Sequence, residues 1–89
     1  MIEETIVLRN RLGLHARAAA KLVHLAAGFE SRITLSREGD DVDGKSILGL
    51  LLLAAGKGAS LVLRVEGADE GAAVSAIKEL VERRFDESE

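Results

Sequence analysis

Hydrophobic and polar residues alternate along three stretches of the chain, which is the pattern of half-buried β-strands. The apolar positions of these stretches are Ile2, Ile6, Leu8, Ile33, Leu35, Leu61, Leu63 and Val65. A fourth, shorter strand is predicted at Asp41–Asp43, because Glu38–Asp40 before it carries turn-forming residues. The strands on either side of that turn therefore form an antiparallel hairpin.

Apolar residues at helical spacing predict three helices between and after these strands. The first begins at Ala16 and stops before Gly28. The second runs from Ile47 to Ala55 behind Ser46, a favourable N-cap residue. The third is predicted to begin after Asp69, a favourable N-cap residue. Its apolar stripe consists of Ala73, Ile77, Leu80, Val81 and Phe85.

The resulting order of elements, β-α-β-β-α-β-α, indicates an α+β fold in which the helices pack on one face of a sheet. We therefore predict an open-faced sandwich, whose strand order the pattern does not determine. The 89 residues are enough for one domain over 1–89 and too few for two. The acidic end of the chain, Asp86–Glu89, is predicted to fray.

Composition excludes several classes of function. With 12 Lys and Arg against 15 Asp and Glu, the net charge is -3, so no basic field attracts nucleic acid or a membrane surface. Phe29 and Phe85 are the only aromatic residues, which leaves no platform for stacking bases. The absence of cysteine excludes disulfides and thiol chemistry. We expect a cytoplasmic protein, since the acidic N-terminus lacks the features of a signal peptide.

One segment matches a nucleotide-binding motif letter for letter. Residues 39–46 read G-x-x-x-x-G-K-S and open helix two, as a phosphate-binding P-loop would. Asp40, Asp41 and Asp43 lie within that loop, however, and their carboxylates would oppose a triphosphate. The chain also has no room for the larger parallel sheet of such enzymes. A nucleotide-binding enzyme is therefore the weaker alternative.

The two histidines of the chain do not form a metal pair. His15 and His24 are nine positions apart, which places them on opposite sides of a helix and about 13 Å apart along its axis. His24 is expected to be a solvated helix residue. We predict no metal site and no other cofactor.

His15 differs because it immediately precedes the first turn of helix one. The free amides of Ala16, Arg17 and Ala18 and the positive end of the helix dipole converge there, an arrangement that binds phosphate. The Arg17 side chain adds a cation. A cationic imidazole is disfavoured at such a place, which leaves a neutral ring nitrogen as a nucleophile. The simpler alternative is that His15 is only an imperfect N-cap and Arg17 only a surface charge.

Two motifs resemble those of the HPr family, the histidine-containing phosphocarriers of the bacterial phosphotransferase system. Residues 13–23, GLHARAAAKLV, are similar to the segment around the family's phosphorylated histidine. Residues 44–50, GKSILGL, and the following GKGA at 56–59 are similar to its regulatory-serine segment and the loop after it. The resemblance therefore covers essentially the whole chain.

The resemblance implies a four-stranded antiparallel sheet in the spatial order one, four, two, three, with three helices on one face. It also implies a monomeric, stoichiometric carrier and not an enzyme. Phospho-enzyme I would transfer a phosphoryl group to Nδ1 of His15. The recipients would be the A domains of sugar transporters or of a nitrogen-related regulatory branch. Arg17 matches the arginine that stabilises the phosphoryl group.

The second motif implies regulation and docking. Ser46 matches a serine that a dedicated HPr kinase/phosphorylase modifies in many lineages. An alternative to the carrier is a regulatory binding module that acts through Ser46 and the docking surface, without carrier activity. The presence of His15 and Arg17 favours the carrier. The residues that match the family's docking surface are Ala20, Ile47, Leu48 and Leu51.

The chain departs from the family pattern at Ala18, where the signature usually has proline. Proline in a first helical turn fixes φ and needs no backbone donor. Alanine should therefore loosen the preorganisation of the site slightly, while His15 and Arg17 remain. We therefore expect phosphoryl transfer to be retained, whereas Ala18 weakens the case for efficient sugar transport and leaves the choice between sugar transport and a regulatory branch open.

Overall fold

The computed structural model describes residues 1–88 and contains the predicted elements in the predicted order. A 3-10 turn follows them at the C-terminal end. The elements are β1 (Ile2–Val7), α1 (Ala16–Ala26), β2 (Arg32–Arg37), β3 (Asp40–Asp43), α2 (Ile47–Leu52), β4 (Ser60–Glu66), α3 (Glu70–Glu82) and the 3-10 turn (Arg84–Asp86). The predicted secondary structure is thus confirmed, apart from the ends of the second and third helices.

The four strands form an antiparallel sheet in the order β1-β4-β2-β3. The register places Leu61 of β4 opposite Ile6 of β1, and Leu63 of β4 opposite Leu35 of β2. The three helices cover the face to which these apolar side chains point. The predicted open-faced sandwich and the strand order implied by the resemblance are therefore confirmed.

The core lies between the sheet and the helices, because strand parity and helix periodicity direct apolar residues into the same layer. The buried stripe of α1 consists of small residues and one leucine, which are Ala18, Ala19, Leu22 and Ala26. Small side chains let this helix pack closely on its neighbours. Within residues 1–88, no helix is long and apolar enough to cross a membrane.

Helix α2 is shorter than predicted. It ends at Leu52, and Ala54 has a positive φ of 49°, which a right-handed helix does not accommodate. The chain turns there and directs the carbonyl of Ala55 to the amide of Leu14, at 2.9 Å. The prediction of a helix to Ala55 is therefore wrong, because this long-range contact requires an open loop.

Asp69 stands at the start of α3, but its carboxylate does not cap that helix, contrary to the prediction. It accepts hydrogen bonds from the Ser31 hydroxyl and from the amides of Glu30 and Ser31, the amides at 2.8 and 2.9 Å. The bond from the Ser31 hydroxyl, followed by those from the two amides, holds the pKa of Asp69 below its ordinary value. Asp69 therefore ties the loop between α1 and β2 to the start of α3.

Substitution of Asp69 is expected to change how stability depends on pH. The pKa of Asp69 is lower in the folded protein than in the unfolded chain. Its ionised carboxylate therefore adds to the free energy of unfolding above the ordinary pKa of about 4, and this stabilisation is lost as the pH falls through the pKa of the folded protein. We expect D69N to be less stable than the wild type at pH 7, and the difference to narrow below about pH 4. Urea unfolding from pH 7 to pH 3 measures the free energy of unfolding of both proteins. If the difference in free energy of unfolding between D69N and the wild type stayed constant over this pH range, the stabilisation would not come from the ionised carboxylate of Asp69.

The C-terminal end folds back onto α1. Helix α3 ends before Phe85, which lies in the 3-10 turn with a φ of 54° and is fully buried. Lys21 Nζ donates to the Phe85 carbonyl at 2.7 Å, and the Glu87 side chain makes hydrogen bonds near the start of α1. The predicted fraying of Asp86–Glu89 is therefore wrong for 86 and 87, while Glu89 lies outside the described residues.

Candidate functional site

His15 occupies the N-cap position of α1, with extended backbone angles of φ -77° and ψ 178°. The first bond of the helix runs from the Ala19 amide to the His15 carbonyl at 2.8 Å. The amides of Ala16, Arg17 and Ala18 precede it and have no intrahelical acceptor, since an α-helix leaves its first amides free. The helix begins where it was predicted, and three such amides lie next to His15.

A turn with a left-handed glycine directs the chain into His15. Gly13 has a φ of 63°, and a Cβ at this position would lie 2.4 Å from the carbonyl oxygen of Ala55. The next residue, Leu14, is buried and donates its amide to the same carbonyl. The close approach of these two loops therefore needs Gly13 and positions His15 two residues later.

A carboxylate from the other end of the chain contacts the ring of His15. Glu87 Oε2 lies 2.5 Å from His15 Nε2, and Glu87 Oε1 accepts a hydrogen bond from Asn10 Nδ2 at 2.9 Å. Asn10 is fully buried, and its Nδ2 also donates to the Gly13 carbonyl at 2.7 Å. Neither Asn10 nor Glu87 was predicted from the sequence to belong to the site. The only sequence feature that pointed to Glu87 was its place two positions after the apolar Phe85, and that feature does not identify His15 as its partner.

The environment of Glu87 favours its charged form. Burial raises the pKa of this carboxyl, but the hydrogen bonds from Asn10 and His15, with the charges of His15 and Arg17, hold the pKa below its ordinary value. The group is therefore an anion at neutral pH. A negative charge thus lies beside His15, in addition to the positive end of the helix dipole.

An open cleft lies beside His15 at the start of α1. Its lining residues are Arg11, Leu12, His15, Ala16, Arg17, Lys21, Asp86, Glu87 and Ser88. Three of these carry positive charges and two carry carboxylates, so the cleft is locally basic in a protein with a net charge of -3. Arg17 lines the cleft, as expected of an anion-binding residue. We call this the His15 cleft, and it can receive an anionic group at the helix N-terminus.

The second histidine takes no part in this site. His24 lies in the last turn of α1 and is exposed. Among residues 1–88, no three His, Cys, Asp or Glu side chains lie close enough together to hold a metal ion. The expectation that His24 is a solvated helix residue is confirmed.

Residues 39–46 do not form a phosphate-binding loop. Asp40–Asp43 is strand β3, which pairs with β2 from Thr34 to Arg37. Gly39 has a φ of 89° in the hairpin turn. The segment therefore belongs to a hairpin, and this geometry does not support a nucleotide-binding enzyme.

Helix α2 presents apolar side chains to solvent. Ser46 caps the helix as predicted, with its Oγ accepting from the Gly49 amide at 3.0 Å. Ala20 on α1 is exposed as well. Leu52, which was not among the predicted docking residues, is 72% exposed. We call the exposed apolar residues of α2 the α2 patch, and they are Ile47, Leu48, Leu51 and Leu52.

Residues 2–83 match the family model described as PTS HPr component phosphorylation site. This chain belongs to the HPr family. Members of the HPr family are phosphocarrier proteins of the phosphotransferase system, so the chain is a carrier and not a catalyst.

Relatives in the HPr family match along the full length of the chain. The phosphocarrier protein HPr of Xylella fastidiosa is 48% identical over 87 residues and covers 98% of each chain. That of Cupriavidus necator is 46% identical over 89 residues and covers 100% of each chain. A crystal structure of HPr from Thermoanaerobacter tengcongensis has a TM-score of 0.96 at 39% identity and covers 100% of both chains. The resemblance drawn from the two motifs is confirmed.

Proposed function

We propose that this chain carries a phosphoryl group on Nδ1 of His15, accepting it from phospho-enzyme I and passing it to A domains of the phosphotransferase system. The observation that carries the proposal is the position of His15 at the N-cap of α1, beside three amides without intrahelical acceptors. Arg17 lines the same cleft. Membership of the HPr family supports the choice of donor and recipients.

The start of α1 suits the chemistry of phosphoryl transfer. The lone pair of His15 Nδ1 forms a bond to phosphorus while the bond between phosphorus and the donor breaks. The amides of Ala16, Arg17 and Ala18 and the Arg17 guanidinium stabilise the charge on the phosphoryl oxygens. Positioning and charge stabilisation are the main requirements of this reaction. An open cleft is sufficient because the partner protein completes the site.

The exposed apolar surface is the proposed docking site for enzyme I and the A domains. It comprises Ala20 and the α2 patch, and exposed apolar clusters on small proteins mark interaction surfaces. Ser46 at its edge is the proposed acceptor for an HPr kinase/phosphorylase. In this proposal the protein acts as a cytoplasmic monomer of one domain over 1–89 and needs no cofactor.

Incubation with phosphoenolpyruvate and enzyme I, followed by phosphorus NMR, tests the carrier function. We expect a phosphohistidine signal that is labile in acid and stable in alkali, located on His15 by peptide mapping. The absence of this adduct would contradict the proposal. A protein that forms no adduct but binds a partner in a Ser46-dependent way would instead be the regulatory binding module.

A negative charge at Ser46 is expected to weaken docking without unfolding the protein. The site is the N-cap of α2, where the helix dipole favours an anion, so S46D should fold. The charge adjoins Ile47, however, and must be desolvated when a partner covers the α2 patch. We expect S46D to lower the efficiency of transfer from enzyme I by about 5-fold to 150-fold. Steady-state transfer assays at several salt concentrations measure the effect.

The matched control is S46A, which removes the cap without adding charge. Aspartate can still accept a hydrogen bond from the Gly49 amide, as serine does, whereas alanine cannot. Transfer is therefore compared under conditions in which both variants are folded, where a difference between them reports the charge. Unfolding midpoints for the two proteins check that the fold survives. Equal transfer rates for S46D and S46A at low salt would show that this part of the proposal is wrong.

A further inference from the structure

Two side chains near the start of the chain, Asn10 and His15, are joined through the distant Glu87 in a continuous hydrogen-bonded series. Asn10 Nδ2 donates to Glu87 Oε1 at 2.9 Å, and Glu87 Oε2 lies 2.5 Å from His15 Nε2. An ionised carboxylate has only acceptors. The hydrogen between Glu87 and His15 therefore belongs to Nε2 of the imidazole.

We propose that Glu87, oriented by Asn10, is a positioning residue that keeps the His15 proton on Nε2 and thereby leaves the lone pair of Nδ1 free to accept the phosphoryl group. In a neutral imidazole only one ring nitrogen carries hydrogen, and the hydrogen bond made by one nitrogen sets the state of the other. This inference rests on the proposed function of His15. It explains why Nδ1 of His15, and not Nε2, would be the nitrogen that reacts.

The carboxylate is held in place before any partner arrives. Asn10 is fully buried, and its Nδ2 donates at the same time to the Gly13 carbonyl at 2.7 Å. Phe85 is also fully buried, and Lys21 Nζ donates to its carbonyl, which anchors the turn just before Glu87. The side chain of Glu87 is 16% exposed. The contact between Glu87 and His15 is therefore held by buried neighbours and is present in the folded protein without a partner.

The proton on Nε2 matters in both directions of the transfer. When Nδ1 of His15 forms its bond to phosphorus, the bond between phosphorus and the donor breaks and its electron pair stays with the donor. The ring then carries a positive charge, which the carboxylate of Glu87 offsets at Nε2. When the phosphoryl group moves on, the electron pair of the Nδ1–P bond returns to Nδ1. Because Nε2 has kept its hydrogen, the leaving group is a neutral imidazole and not an imidazolate.

The variant E87Q gives a sharp test, because Asn10 dictates how a glutamine would lie. Asn10 presents its Nδ2 hydrogens to Gly13 and to residue 87, so the oxygen of a glutamine must face Asn10. The amide nitrogen then faces His15 and donates to Nε2. We expect E87Q to move the imidazole proton to Nδ1, whereas E87A should leave a mixture of both tautomers.

Histidine nitrogen-15 NMR at neutral pH reports the tautomer, and transfer from enzyme I reports the rate. We expect Nε2–H in the wild type, Nδ1–H in E87Q and a rate that falls by about 10-fold to 100-fold in E87Q, with KM for enzyme I unchanged. E87A should retain more activity than E87Q. A merely structural role predicts the opposite order, since glutamine matches glutamate in shape and alanine does not. The control E79Q removes one exposed carboxylate from α3 and should behave as the wild type.

The results separate this inference from the proposed function. A wild-type protein that is phosphorylated on His15, together with an E87Q variant of unchanged tautomer and rate, would overturn the role of Glu87 alone. A lower activity in E87A than in E87Q would also overturn it. A wild-type protein that acquires no phosphohistidine would overturn the proposed function and, with it, this role of Glu87.

Discussion

H15Q is expected to abolish phosphoryl transfer while leaving the fold intact. Glutamine can donate and accept hydrogen bonds at the start of α1, but it has no ring nitrogen that can form a stable bond to phosphorus. His15 is partly exposed at the N-cap and makes no side-chain cap bond to its own helix, so its replacement removes little packing. Phosphorus NMR after incubation with phosphoenolpyruvate and enzyme I should show no phosphohistidine.

The other histidine of the chain provides the matched control for this experiment. H24Q makes the same chemical change on the same helix, at an exposed position outside the His15 cleft. We expect its phosphohistidine signal to equal that of the wild type. Loss of the signal in H24Q but not in H15Q would show that the phosphoryl group is carried elsewhere, and the function proposed for the His15 cleft would be wrong.

G13A is expected to cause the largest loss of stability among single substitutions near the site. A residue with a Cβ at a φ of 63° costs about 1 to 2 kcal/mol, and the Cβ would also lie 2.4 Å from the carbonyl oxygen of Ala55. That carbonyl must move, which disturbs its bond with the Leu14 amide. We expect a total loss of about 2 to 4 kcal/mol, measured by urea unfolding.

The variant G58A separates the backbone cost of a positive φ from the cost of the close approach to the Ala55 carbonyl. Gly58 has a φ of 86°, but a Cβ there would meet nothing within 4 Å. Only the backbone cost of about 1 to 2 kcal/mol should therefore appear in G58A. If G13A were no less stable than G58A, the close approach of the loops at 13 and 55 would not contribute to the position of His15.

The sequence by itself determined most of the secondary structure and singled out His15 as the proposed phosphoryl acceptor, because both rest on local features. Alternation at positions such as Leu61, Leu63 and Val65 depends only on neighbours along the chain, and strand parity places them on one face. The start of α1 after His15 and the cap at Ser46 depend on a few adjacent residues. The family resemblance likewise rested on two short motifs, and it supplied the strand order that periodicity could not provide.

Only the tertiary structure decided the parts of the site that come from distant segments. Asp69 had the sequence pattern of a helix cap, yet the loop at Glu30 and Ser31 offered its carboxylate three donors. The second helix stopped early because Ala55 meets Leu14 across the fold.

The contact of Glu87 with His15 joins residues 72 positions apart, and no local pattern encodes it. The chain end contains several acidic residues, and the sequence alone does not indicate that Glu87 turns inward. That choice depends on the burial of Phe85, which brings the end of the chain to α1, and on the buried amide of Asn10, which orients the carboxylate. Such contacts form only when the whole core has assembled, because the hydrogen bonds that hold them gain their strength from burial.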